Sequence, residues 1–125
     1  VNEFKGTPGP WKVDYWLDGE PSVMFDGPAL TRVCRMEYVV KAGAVPNDEM
    51  EANAELIAAA PNLFKELQLV LDYEEQSQFE RWMEIADPSG DCEFVQRQWL
   101  ESAEYEDFRD LWSGPISAIA KALGE

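Results

Sequence analysis

A chain of 125 residues with 25 acids, 10 bases and no histidine carries a formal net charge of −15. Without histidine there is no Ser-His-Asp or Cys-His catalytic set, no imidazole acid or base and no His-containing zinc site. A surface this negative repels DNA, RNA and anionic membrane, and it attracts basic partners at long range.

The length suits a single domain, 1–125, with a core of its own. No apolar run is long enough to span a bilayer, and no signal-peptide pattern opens the chain. Cys34 and Cys92 stand far apart and in no CxxC arrangement, so they read as free thiols of a cytoplasmic protein.

Residues 1–46 read as a meander of short strands. TPGPWKVDYWL opens with prolines and glycines and is a turn or edge segment. From Trp11 the residues alternate, with Trp11, Val13, Tyr15 and Leu17 on one side and Lys12, Asp14 and Trp16 on the other, the pattern of a half-buried strand. Asp18-Gly19-Glu20-Pro21 is turn chemistry, Ser22 to Phe25 is a second strand, and Asp26-Gly27-Pro28 turns again. Leu30 to Met36 and Tyr38 to Val40 supply a third strand, or a third and fourth. Lys41 to Pro46 then loops into the helices.

Residues 47–73 read as two central helices. Asn47 suits an N-cap, and Asp48 and Glu49 complement the helix N-terminus. Met50, Ala54, Ile57 and Ala58 recur at helical spacing. Pro61 lacks an N–H and disfavours helical geometry at Ala60, so the first helix is expected to stop there and a second to start from it. Leu63, Phe64, Leu67, Val70 and Leu71 form the apolar stripe of that second helix, wide enough for one wall of a core, and the run AAA beside it permits close approach of another element.

Beyond Tyr73 the pattern stays helical. Phe79, Trp82, Met83 and Ala86 fall at i, i+3, i+4 and i+7, and Asp87-Pro88-Ser89-Gly90-Asp91 ends that run. Asp91 can cap a further helix, Cys92 to Trp112, and Ser113-Gly114-Pro115 ends it. Pro115 to Leu123 is a short terminal helix stopped by Gly124. The fold class is α+β, a small N-terminal antiparallel sheet of three or four strands packed against a C-terminal part of four or five helices.

Three segments, TPGPWKVD, EANAELIAAAPNLFKELQLVL and PISAIAKALGE, together resemble a group of small phage and prophage accessory proteins that open on a TPGPW motif and carry an EANAxLIAAAP helix. The resemblance covers both flanks of the chain but not residues 74–112, which look like a variable region. It implies a phage or prophage origin and action in the bacterial cytoplasm. It implies no settled activity, no catalytic residues and no cofactor.

The charge is concentrated in the helical half. Residues 1–46 hold six acids against five bases, whereas residues 72–110 hold thirteen acids against three arginines. Glu80 with Glu84, Glu101 with Glu104, and Asp107 with Asp110 fall at helical spacings. Pair by pair these are solvated faces, but like charges four apart are mildly destabilising, and their density asks for a reason. Carboxylates spaced along helices can imitate the phosphate row of a duplex. On that reading Glu74, Glu75, Glu80, Glu84, Glu101, Glu104 and Asp107 face the lysines and arginines of a host nucleic-acid-binding defence complex, as in inhibitors of CRISPR effectors and restriction enzymes. Trp82 and Trp99 would anchor such an interface if exposed, but they read better as core.

Two other readings compete. One is a structural or regulatory module acting by protein–protein contact, with self-association through exposed aromatics and an acidic face that serves solubility. The other is a Mg²⁺-dependent nucleotide hydrolase using Glu101-x-x-Glu104 and Asp107-x-x-Asp110 as ligands. Against the latter, there is no matching motif on a partner helix, no phosphate loop and little basic charge to receive a triphosphate. The expectation is therefore a non-enzyme without cofactor or metal.

Overall fold

The computed structural model describes residues 4–15, 21–28, 31–36 and 46–125, with side chains in the last segment described from Asp48 onward. The described elements are β1 (Trp11–Tyr15), β2 (Pro21–Phe25), β3 (Arg32–Arg35), α1 (Pro46–Ala86), α2 (Cys92–Leu100), α3 (Ala103–Leu111) and α4 (Ser113–Ala122). An N-terminal antiparallel sheet followed by helices is the expected α+β class. The chain divides into two compact units, Val1–Lys65 and Glu66–Glu125, and α1 contributes to both. The expected strand Tyr38–Val40, the loop Lys41–Val45, the turn residues Asp18–Glu20, Trp16, Leu17 and the Asn47 cap lie outside the described residues or side chains.

In the first unit the strands form a meander in the order β1-β2-β3, both pairs antiparallel. Val13 pairs with Val23, and Val23 with Cys34. The next pair, Met24 with Arg32, skips Val33, so β3 carries a bulge. A bulge adds a residue to one strand and re-aims its neighbours. This explains why Val33 and Cys34, adjacent in sequence, both pack on the same core. That core is Val23, Ala54 and Ala58, flanked by Trp11, Val13, Met36 and Ile57. Ala54 and Ala58, four apart on α1, present no more than a methyl group each, which lets β2 approach the helix closely. Of the AAA run, only Ala58 is buried and Ala60 is exposed.

The TPGPW segment folds into a turn held by its own tryptophan. The Trp11 indole Nε1–H donates to the carbonyls of Thr7 (3.2 Å) and Pro8 (3.1 Å), and the Asp26 N–H donates to the Pro10 carbonyl at 2.9 Å. Phe4 lies edge-on to Trp11 and tilted against Phe64 of α1. Tyr15, expected on the core side with Trp11 and Val13, is instead 52% exposed. At the end of β1 it lies beside the acidic first turns of α1, and its phenol is raised above the usual tyrosine range. Removal from water is the main cause, followed by the charges of Glu51 and Glu55.

The helix expected to stop at Pro61 does not. α1 runs unbroken from Pro46 to Ala86 with Pro61 inside it. An interior proline forfeits one backbone hydrogen bond and crowds the preceding turn, but Ala, Glu and Leu on both sides favour continuation. Packing of Pro61 and its neighbours in the first unit offsets part of the cost. The apolar wall drawn from Leu63, Phe64, Leu67, Val70 and Leu71 is also corrected. Leu71 is buried and Phe64 and Leu67 are half-buried, but Leu63 (57%) and Val70 (46%) are exposed.

The second unit is built on aromatic rings. Trp82, Trp99 and Phe108 are buried. Phe79 stacks on Trp82 with centroids 6.0 Å apart and meets Trp99 edge-on at 5.7 Å. Trp99 meets Tyr105 at 5.4 Å, and Tyr105 stacks near Phe108. Asp91 caps α2 as expected, its Oδ1 accepting from the Phe94 N–H at 2.9 Å.

The single helix expected from Cys92 to Trp112 is two. Glu101 and Ser102 separate α2 from α3, and the Ser102 hydroxyl does two things there. Its oxygen accepts from the Tyr105 N–H at 3.1 Å, and its O–H donates to the Trp99 carbonyl at 2.6 Å. The first bond satisfies a donor that a new helix start leaves orphaned, and the second gives the Trp99 carbonyl a further donor beside the Ser102 N–H, which it accepts from at 3.0 Å.

Candidate functional site: the acidic helical surface

A helix turns about 100° per residue, and this sorts the acids of α1. Glu80 and Glu84 stand two residues either side of Trp82, so both point away from the buried ring. Both are exposed, and the Gln76 Nε2 donates to Glu80 Oε1 at 3.1 Å. Glu75 is seven residues before Trp82 and shares its face, while Glu74 lies beside that face. Both are half-buried. On the remaining helices Glu101, Glu104 and Asp107 are exposed.

The seven acids therefore do not form one row. Glu80 and Glu84 make an outward ridge on α1, and Glu104 and Asp107, three apart on α3, share a face there. Glu101 is the C-cap of α2, while Glu104 sits in the first turn of α3. The pair expected to share a helix face is split by the Ser102 cap, so Glu101 and Glu104 cannot present two ligands from one face. Glu104 is well placed electrostatically at a helix N-terminus, and Glu101 is badly placed at a helix C-terminus. Among the described residues no group of three or more Cys, Asp or Glu is arranged to hold a metal ion. Trp82 and Trp99, at 8% and 4% exposure, belong to the core and not to an interface.

One concave feature was not foreseen. A groove of about 450 Å³ opens between α1 and α2. Asp72, Glu75, Gln76 and Phe79 line it from α1, and Gln96, Trp99 and Leu100 from α2. Asp72, Glu75 and Phe79 fall at i, i+3 and i+7. That spacing was visible in the sequence, but Gln96 and Trp99 join it only once α2 folds back against α1. Elsewhere in this unit Arg109 sits over a ring, its guanidinium carbon 5.9 Å from the Tyr105 ring centre.

Among the described residues no helix is long and apolar enough to cross a membrane. Cys34 and Cys92 are free thiols, half-buried and exposed respectively. Residues 2–125 match the family model described as Salmonella phage P22 protein Y8K6. The match runs through residues 74–112, where the motif resemblance breaks off. No curated protein and no solved structure matches the chain. The chain belongs to the family of the Salmonella phage P22 protein Y8K6, and is a phage accessory protein.

Proposed function

We propose that this phage protein acts without catalysis in the cytoplasm of the bacterial host, by binding a basic nucleic-acid-binding surface of a host defence complex. The complex is of the CRISPR-effector or restriction type. The observation that carries the reading is the surplus of thirteen acids over three arginines in residues 72–110, with Glu80, Glu84, Glu101, Glu104 and Asp107 exposed on three different helices. Proteins that grip polyanions do so through lysines and arginines, and a phage gains directly from occupying those grips. Exposed carboxylates on several helices offer such a surface a substitute for phosphates, with fast, salt-sensitive association.

The test is capture of host-lysate proteins on the immobilised chain at low and high salt, repeated with Glu80, Glu84, Glu101 and Glu104 all changed to Lys. The expected result is a nucleic-acid-binding complex retained at low salt, released at high salt and lost to the variant, with the variant's helical signal unchanged. Retention of the same complex by the variant, with the same salt dependence, would show that the acidic surface only keeps the protein soluble.

A second reading, a module acting by protein–protein contact or self-association, draws on Leu56, Leu63 and Tyr73, which are 64%, 57% and 73% exposed on α1. Concentration-dependent sedimentation that Leu63→Glu abolishes would favour it.

A further inference from the structure

We propose that the groove between α1 and α2 is a receptor for one arginine side chain of the partner protein, a step that rests on the acidic-surface reading above. Its chemistry is specific to a planar cation. Asp72 and Glu75 supply two carboxylates, Gln76 and Gln96 supply carboxamide acceptors, Phe79 supplies an aromatic surface, and Trp99 and Leu100 complete an apolar wall for the side chain's methylenes. No lysine or arginine lines it, and neither Asp72 nor Glu75 is engaged in a hydrogen bond or ion pair among the described residues.

A guanidinium combines these needs in one group. It bonds carboxylates in a fixed fork, its remaining N–H donors suit amide oxygens, and its plane stacks on a ring. An ammonium is a compact point charge without that plane, so lysine makes the first contact but not the third. Phe79 is half-buried whereas Trp99 is 4% exposed, so Phe79 is the ring that a cation reaches and Trp99 is the wall behind it. The same unit already uses this chemistry internally, in Arg109 over Tyr105 at 5.9 Å, within the range where a cation is attracted to a ring face. At about 450 Å³ the groove has ample room for an arginine side chain.

The groove also differs from the rest of the acidic surface in what it adds. Glu80 and Glu84 do not line the groove; Glu80 stands at its rim, where it accepts from the Gln76 Nε2, and the two offer mainly long-range attraction. The groove offers a concave site in which Glu75, Phe79 and Trp99 are withdrawn from water while Asp72, Gln76 and Gln96 stay exposed at its mouth, and side chains seated in such pockets carry most of an interface's energy.

The experiment is an NMR titration of the whole protein with three blocked tripeptides, acetyl-Gly-X-Gly-amide, where X is arginine, lysine or citrulline. Citrulline keeps the shape of arginine and removes its charge. Arginine is expected to move the Trp99 indole and the Gln76 and Gln96 side-chain amide signals saturably, with a Kd of roughly millimolar order for so small a ligand. Lysine should bind more weakly and citrulline not measurably. The isosteric double variant Asp72→Asn/Glu75→Gln should weaken arginine binding by about tenfold or more, while Glu104→Gln/Asp107→Asn, on α3 and outside the groove, leaves it unchanged. Equal shifts for arginine and lysine, shifts spread evenly over all carboxylates, or an unaffected double variant would each overturn the proposal. Unfolding of the double variant, checked by circular dichroism, is bypassed by Gln96→Leu. That change removes an acceptor without touching a charge, and it should weaken arginine binding but not the weaker lysine contact. The groove and the acidic surface fail separately, because none of the four positions reversed to test the surface lines the groove, and Glu80 meets it only through the Gln76 Nε2 and not through the carboxamide oxygen.

Discussion

Gly9 lies directly against Pro61: a β-carbon on Gly9 would stand 2.7 Å from the Cβ of Pro61 and 3.3 Å from its Cγ. The glycine of the TPGPW turn and the proline inside α1 are thus fitted to one another, the one by having no side chain and the other by having a rigid ring. Two segments that look like separate sequence motifs are two sides of one contact.

The first prediction tests that contact. Gly9→Ala places a methyl group into a ring that is fixed to a helix backbone and cannot swing aside. Overpacking of this kind costs about 1–3 kcal/mol. Thermal unfolding of the Gly9→Ala protein should start at a lower temperature, and the Trp11 environment should change in near-ultraviolet circular dichroism. An unchanged melting curve would mean that the turn moves away from the helix at no cost.

Pro61→Ala should have the opposite sign. An interior proline is about 3 kcal/mol less favourable than alanine in a helix, because one N–H is missing and the preceding turn is crowded. The change keeps Cβ and removes the ring's Cγ and Cδ, of which Cγ lies against Gly9, and forfeits at most about 0.8 kcal/mol for each. The gain exceeds the loss, so Pro61→Ala should stabilise the protein by about 1 kcal/mol, read from denaturant unfolding at unchanged slope. A net loss would show that the Gly9 contact matters more than the helix it interrupts.

Ser102→Ala removes both bonds at the α2–α3 junction. Loss of a serine N-cap costs about 1 kcal/mol, and the Trp99 carbonyl loses its hydroxyl donor as well. Hydrogen exchange should quicken first at the Tyr105 amide, which Ser102 Oγ holds at 3.1 Å. If protection there is unchanged, the junction is set by the aromatic packing around Trp99 and not by the cap.

These three sites also show where the sequence was readable. The Asp91 cap and the aromatic face Phe79–Trp82 depend on neighbours within one or two turns, and spacing alone places them. Spacing does not do so for Pro61 and Ser102. Local chemistry says that a proline stops a helix and that a serine inside an amphipathic run is unremarkable; at Pro61 the contact is with a distant residue, while at Ser102 the partners are local and the folded aromatic packing selects the cap over continuation. Gly9 packs on Pro61, and the Trp99 and Tyr105 rings meet across Ser102. The bulge at Val33 is hidden for a similar reason, since it appears only as a register shift against β2. Of the candidate site, the opposition of Glu80 and Glu84 to Trp82 follows from counting residues. The groove does not, because three of its seven lining residues arrive with α2.

Tyr15 supplies a prediction in pH. Its phenol titrates above the usual tyrosine value, because it is drawn from water and stands beside Glu51 and Glu55. A group whose pKa is raised by folding contributes stability that is fully present below its unfolded pKa, about 10 for tyrosine, and that disappears as pH rises through the folded value. Wild type should therefore lose stability above about pH 10 more steeply than Tyr15→Phe does. The difference in absorbance between the two proteins should titrate with a midpoint above that of free tyrosine. A midpoint at or below the free value would mean that the half-exposed ring is too well hydrated for either its partial burial or the two glutamates to act on it.

The last prediction concerns salt. The surplus of acids in residues 72–110 includes Glu80 and Glu84, four apart on one exposed ridge, a like-charge pair of the kind that costs a few tenths of a kcal/mol. At about 0.01 M ionic strength charges act on one another over roughly 30 Å, at 0.1 M over roughly 10 Å. Added sodium chloride should therefore raise the melting temperature over this range, because it screens repulsion that the fold itself must bear. Glu80→Gln/Glu84→Gln should melt higher than wild type at low salt and respond less to added salt. The same range should weaken capture of a basic partner, since the screening that relieves the free protein removes the attraction in the complex. Stability rising while partner binding falls, across one salt titration, is the signature expected of a surface whose charges are costly alone and useful in contact. A melting temperature indifferent to salt would mean that these carboxylates are too well hydrated to repel one another.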